Sequence, residues 1–178
     1  EDNIYFINKL NDYYYDGLIF LIGETGNPDL EFEDYKICLQ NYKVNLLHPV
    51  VVINCFVKKL KKNSFICVFS SIAGIRGRAL RIFYCSAKSG LISYLSGLRQ
   101  KLKKHEIQVL NVIAGYMQTE KFIYSSNKFL INTPKEVANV VYDGIKKKRD
   151  NIYTSYKWYI ISIILKIIPE KIFKKFNF

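Results

Sequence analysis

Tyr84 and Lys88 stand four residues apart in the stretch FYCSAKSG, residues 83–90, which runs directly into LISYLSGLRQKL. That spacing puts both side chains on one face of a helix. A phenol has an ordinary pKa near 10, and a neighbouring ammonium favours the phenolate, so the pair has the makings of an acid–base device. Two unremarkable neighbours on a helix surface would show the same spacing. Ser71 supplies further company, since it ends the apolar run at residues 64–70 and lies thirteen residues before Tyr84. A strand, a loop and a helix start can bring hydroxyl, phenol and ammonium together.

The elements that must position these groups are readable from periodicity. LIFLI, residues 18–22, is a short apolar run ended by GETGNPD, the pattern of a strand buried on both faces. Residues 44–62 carry Leu47, Val51, Cys55, Phe56 and Leu60 at helical spacing and a lysine-rich end suited to a helix C-terminus. SFICVFS, residues 64–70, predicts a second strand. Tyr84, Ala87, Leu91, Tyr94, Leu95, Leu98 and Leu102 recur at three and four and predict an amphipathic helix. IQVLNVI, residues 107–113, predicts a third strand; NTPKEV opens a capped helix that ends at KKKRD before the strand-like NIYT. Strands alternating with helices imply an α/β fold, a parallel sheet covered on both faces. Ligands of such sheets bind beyond the carboxyl ends of the strands, which makes GETGN, SSIAG and AGYMQT the informative segments.

With 178 residues, 49% of them apolar, the chain is expected to form one domain over residues 1–178. Its formal net charge of +12 suits contact with phosphates or an anionic membrane. Lysine-rich codon bias explains the same excess, because only five of the 27 basic residues are arginine. Cys38, Cys55, Cys67 and Cys85 form no C-x-x-C and the two histidines, His48 and His105, are far apart, so no metal site is expected. The cysteines read as reduced thiols and the compartment as cytoplasmic. The lysines cluster at helix ends rather than interleaving with aromatic residues, so nucleic acid is not the expected partner.

SSIAG followed by YCSAK resembles the short-chain dehydrogenase/reductases, whose Ser and Tyr-x-x-x-Lys stand in this order and at about this gap. Asn45 in YKVNLLHPV matches the family's fourth catalytic position. DGLIFLIG is similar to the strand that usually ends in Asn-Asn-Ala-Gly, with Gly23 retained, and VIAGYMQTE to the Pro-Gly-x-x-x-Thr segment, with Ala114 in place of proline. The resemblance implies a Rossmann-like doubly wound sheet, NAD or NADP as cofactor, and carbonyl reduction in which Tyr84 moves the proton. Lys88 would lower the phenol's pKa and hold the nicotinamide ribose, Ser71 would bind the substrate oxygen, and Asn45 would support a proton-relaying water. Gly23, Ala114, Gly115 and Thr119 would lie along the cofactor with Tyr84 and Lys88. The family's glycine-rich turn between first strand and first helix has no counterpart, since GETG aligns with the turn after the fourth strand. The chain therefore reads as the last two-thirds of a family domain, truncated at its N-terminus, with residues 1–15 as the helix before that strand. Alone it is expected neither to bind NAD(P) tightly nor to turn over, and when full length to form homo-oligomers.

Two features bear on substrate. The loop between Ser71 and Tyr84 holds Arg76, Arg78 and Arg81, three of the five arginines; they read either as phosphate contacts or as a solvated loop. Residues 155–178 form an apolar, basic C-terminal helix too short to span a bilayer. It reads either as an interfacial helix at the inner face of the membrane or as a terminal helix packed on the sheet or a partner subunit. Both features resemble the decaprenylphosphoryl-2-keto-ribose reductases, which implies a lipid-linked keto-sugar as substrate and Arg76 and Arg78 as its phosphate contacts. Reduction of a fatty-acyl or other hydrophobic ketone is the alternative, and a non-catalytic basic membrane-surface module a second.

Overall fold

Four stretches rich in β-branched and aromatic residues become strands: β1 (Tyr15–Phe20), β2 (Leu60–Ser71), β3 (Gln108–Ala114) and β4 (Asn151–Tyr153). The computed structural model describes residues 13–27, 34–118 and 128–176. The strands form one sheet in the order β1-β2-β3-β4, every neighbouring pair parallel. Parallel neighbours need long crossovers. The first runs through α1 (Tyr35–Tyr42), a single π-helical turn at Lys43–Leu47 and α2 (His48–Val57). The second is α3 (Ile82–Leu102), the third α4 (Pro134–Lys146), and α5 (Tyr156–Ile167) and α6 (Glu170–Phe173) follow β4.

Alternation along the strands divides the core into two layers. Ile66 and Val68 of β2 pack with Ile53 of α2 and Leu91, Leu95 and Leu98 of α3. Cys67 and Phe69 point the other way, to Val137 and Val141 of α4. Helices thus cover both faces, the Rossmann-like α/β arrangement expected. Full burial of each Leu or Ile is worth roughly 1.5–3 kcal/mol, so these two layers fix the strand ends on which the site stands. A capping box starts α4, with the Thr133 side chain accepting from the Glu136 N–H and the Glu136 carboxylate from the Thr133 N–H.

Boundaries differ from the sequence reading around β1 and in the helix before β2. The helix expected over residues 44–62 ends at Val57, because Leu60 already pairs with Tyr15 in the sheet and buries its side chain there. Strand β1 is not buried on both faces. It forms an edge among the described strands, Ile19 is half exposed, and Leu21 and Ile22 have left the ladder for solvent. Residues 1–12 of the helix expected over 1–15 lie outside the described residues, and Tyr15 opens β1.

Candidate active site

Ser71 is the last residue of β2 and stands in register with Ala114, the last of β3, so the two carboxyl ends lie side by side. The chain then turns through a 3₁₀ segment, Ile72–Gly74, whose first free N–H, that of Ala73, donates to Ser71 Oγ at 3.1 Å. Gly74 is the pivot. A β carbon there would lie 2.7 Å from the carbonyl carbon of Lys88 and 2.8 Å from its oxygen, so only glycine lets the turn rest on the α3 backbone at that residue. Close approach of turn to helix brings Ser71 to the face of α3 that carries Tyr84 and Lys88.

Lys88 is 3% exposed and its ammonium donates to the Phe69 carbonyl at 3.2 Å. Burial lowers its pKa from 10.5 to about 8. Its Nζ lies 5.8 Å from the centre of the Tyr84 ring. The Tyr84 phenol is pushed above its ordinary value, chiefly by burial; a hydrogen bond with Ser71 opposes that, Cys85 adds to it, and the charges of Arg78 and Arg81 oppose it more weakly. The expectation that Lys88 would bring the phenol below its ordinary pKa is therefore corrected: in this chain desolvation outweighs the neighbouring cations.

Asn45 sits fully buried in the π-helical turn, a widened turn of the kind often found at functional positions. Its Nδ2 donates to the Glu24 carbonyl at 2.7 Å and to the Asn41 carbonyl and Oδ1 at 3.0 and 2.9 Å, while its Oδ1 accepts from the Glu24 N–H at 3.1 Å. The side chain expected to hold a water is thus engaged in clasping the turn after β1. Arg81 grips the same turn, donating to the carbonyls of Thr25 and Gly26 at 3.0 and 3.4 Å. Held this way, Gly23 faces the site: a β carbon on it would lie 3.0 Å from Lys88 Nζ and 3.3 Å from Asn45 Oδ1.

Ser71, Tyr84, Lys88, Asn45 and Gly23 are therefore gathered at one rim of the sheet. The others fare differently. Ala114 is buried in the sheet–α4 layer, and Gly115 lies under the Trp158 indole, whose atoms would come within 2.2 Å of any β carbon there. Thr119 lies outside the described residues. Arg76 is turned away from the site: its guanidinium donates to the carbonyls of Leu165 and Ile168, pairs with Glu170 at 2.6 Å and stacks 3.8 Å over the Phe173 ring. Arg78 keeps a buried Nε with no hydrogen-bond partner among the described residues, and its charge acts on Tyr84. The roles of Gly74 and Arg81 escaped the sequence reading; the glycine closing SSIAG, three residues past a strand-end serine, was the available signal.

An ammonium has three donors, and Phe69 occupies one of those on Lys88. The remaining donors, beside the cradle at Gly23 that a single β carbon would fill, fit the ribose hydroxyls of a dinucleotide.

Known proteins share the fold of this chain. A ketoacyl reductase, HetN, from Nostoc sp. is 32% identical over 88 residues, 47% of this chain and 31% of that protein. A 3-oxoacyl-[acyl-carrier-protein] reductase, FabG, from Aquifex aeolicus is 28% identical over 112 residues, 56% of this chain and 45% of that protein. The chain thus spans between about a third and a half of the length of these curated relatives. Among solved structures, a short chain dehydrogenase from Burkholderia cenocepacia in complex with NADP superposes with a TM-score of 0.79 at 18% identity, over 96% of this chain and 71% of that one. That likeness concerns the fold. The family model for short chain dehydrogenases matches residues 15–128, from the first strand through the whole Ser-Tyr-Lys unit, and the chain belongs to that family.

Proposed function

We propose that this chain carries the catalytic centre of an NAD(P)-dependent keto-reductase, with Ser71, Tyr84 and Lys88 as the reacting and orienting groups. The observation that carries the reading is the meeting at the carboxyl rim of the sheet of Ser71, which ends β2 and pulls the Tyr84 phenol's pKa down, with Lys88, buried beside the Tyr84 ring. NAD or NADP would supply the hydride, which no side chain can, held by Lys88 and the Gly23 turn. Tyr84 passes its proton to the substrate oxygen as negative charge develops there. A phenol held above its ordinary pKa keeps that proton at neutral pH, the state that reduction requires. Ser71 donates to the same oxygen and stabilises the developing charge, and Lys88 restores the proton to the phenolate. Asn45 acts as a positioning residue, holding the turn of Gly23 and Glu24 against Lys88.

The substrate we propose is a ketone on an apolar or lipid-linked carrier. Ketoacyl reduction is what the names of the curated relatives describe. A keto-sugar on a polyprenyl phosphate remains the narrower form of the proposal, and there the phosphate contact falls to Arg78, whose Nε has no hydrogen-bond partner among the described residues, rather than to Arg76. The test uses protein expressed from its complete coding sequence, NADH and NADPH, and a panel of 3-oxoacyl thioesters and keto-sugar phosphates, followed by nicotinamide absorbance. Turnover that disappears in Tyr84→Phe while the variant keeps its cofactor affinity is the expected result. Undiminished turnover in Tyr84→Phe would overturn it.

A further inference from the structure

Helix α5 has two faces of opposite character. Trp158 and Ser162 are buried, Trp158 against Ile113 of β3, and the Trp158 N–H donates to the Leu130 carbonyl at 3.0 Å. Advancing about 100° per residue, the opposite side presents Tyr156, Ile160, Ile163, Ile164 and Ile167, continued past Pro169 by Ile172; all six are exposed, Ile167 by 70%. No helix among the described residues is long and apolar enough to cross a membrane, yet this stripe is larger than scattered surface apolar residues would make it. Its border is cationic. Lys166 flanks the stripe on α5, and Lys171, Lys174 and Lys175 follow on and beyond α6, all exposed and none in the ion pairs found among the described residues. The one acid in this segment, Glu170, is committed to Arg76.

We propose that the exposed face of α5 and α6 docks on an anionic lipid surface, with its isoleucines in the acyl boundary and the lysines against the headgroups. Charge decides between lipid and a second copy of the chain. A two-fold contact through this face would join two copies of a patch that carries four lysines and no uncommitted acid, whereas acidic headgroups neutralise them. The Arg76 clamp on Leu165, Ile168, Glu170 and Phe173 ties the face to the loop joining Ser71 to Tyr84. The proposal stands apart from the reductase reading, because binding to lipid needs no turnover.

Vesicle flotation tests it, with phosphatidylcholine containing phosphatidylglycerol against phosphatidylcholine alone. Binding to the anionic vesicles only, weakened by salt, is expected. Replacing Lys171, Lys174 and Lys175 together by alanine should lower the partition coefficient on the order of a hundredfold, and Ile163→Glu with Ile167→Glu should abolish binding. The single tryptophan, Trp158, reports whether each variant keeps α5 on the sheet, since its emission stays unchanged if it does. Failure to bind anionic vesicles, equal binding to both kinds, or concentration-dependent self-association that the isoleucine variant removes in place of vesicle binding would each overturn the proposal.

Discussion

Replacing Lys88 by methionine should make the protein more stable and catalytically dead. Burial brings the Lys88 pKa from 10.5 to about 8, and each pKa unit is about 1.4 kcal/mol. Keeping the ammonium charged in the folded state therefore costs about 3 kcal/mol at pH 7. Methionine has a similar length and no charge; losing the 3.2 Å bond to the Phe69 carbonyl takes back about 1 kcal/mol. The variant should gain about 2 kcal/mol, as other buried charges replaced by apolar side chains have done. The sign with pH follows from the direction of the shift. Below about pH 8 the group is protonated in both states and the folded state bears the full cost. Between about 8 and 10.5 the folded state has released its proton while the unfolded chain keeps it, so wild-type stability rises and the variant's advantage shrinks. Urea unfolding followed by Trp158 fluorescence at pH 7 and pH 10 measures both gaps. A variant less stable than wild type at pH 7, or a gap that fails to narrow by pH 10, would refute the claim that desolvation dominates at this residue.

Gly74→Ala forces a β carbon to within 2.8 Å of the α3 backbone at Lys88. It should destabilise by about 1–3 kcal/mol and displace Ser71, so denaturant unfolding and turnover should fall together; an unaffected protein would mean that the turn does not position the serine. Ser71→Ala removes the hydrogen bond that pulls the Tyr84 phenol down, leaving burial with less opposition. The resonance of 13C-labelled Tyr84 should then titrate at higher pH than in the wild type, and a shift to lower pH would contradict the assigned contact.

How much of this was legible beforehand depends on how local the determinant is. Ser71, Tyr84 and Lys88 fall within a single strand–turn–helix unit, so their order and spacing in the chain almost force them together once SFICVFS is a strand and LISYLSGL a helix. The sense of the phenol's shift was not legible, because it depends on what packs over the ring rather than on what lies one turn away. The fates of the loop arginines were hidden for the same reason. Arg76 and Arg78 are two residues apart, yet one closes on the carbonyls at the end of α5 while the other keeps a buried Nε without a partner among the described residues and acts on Tyr84. The C-terminal helix posed two readings as rivals, a packed helix or an interfacial one; the structure gives α5 one face for packing, and the other remains exposed.

The places where local rules are broken coincide with the candidate site. A π-helical turn interrupts α1 and α2 at Asn45, a lysine is buried against a backbone carbonyl, and a glycine allows two backbones to touch. The buried charge works against stability by several times the contribution of an ordinary hydrogen bond. Each does place a polar atom at the rim of the sheet. The apolar layers around Ile66, Leu91 and Leu95 are what make such a placement tolerable, since they fix β2 against α3 irrespective of the side chain at residue 88. This division of labour is why removing the Lys88 charge should strengthen the fold while removing the chemistry. A site whose polar residues also held the fold together would lose both at once.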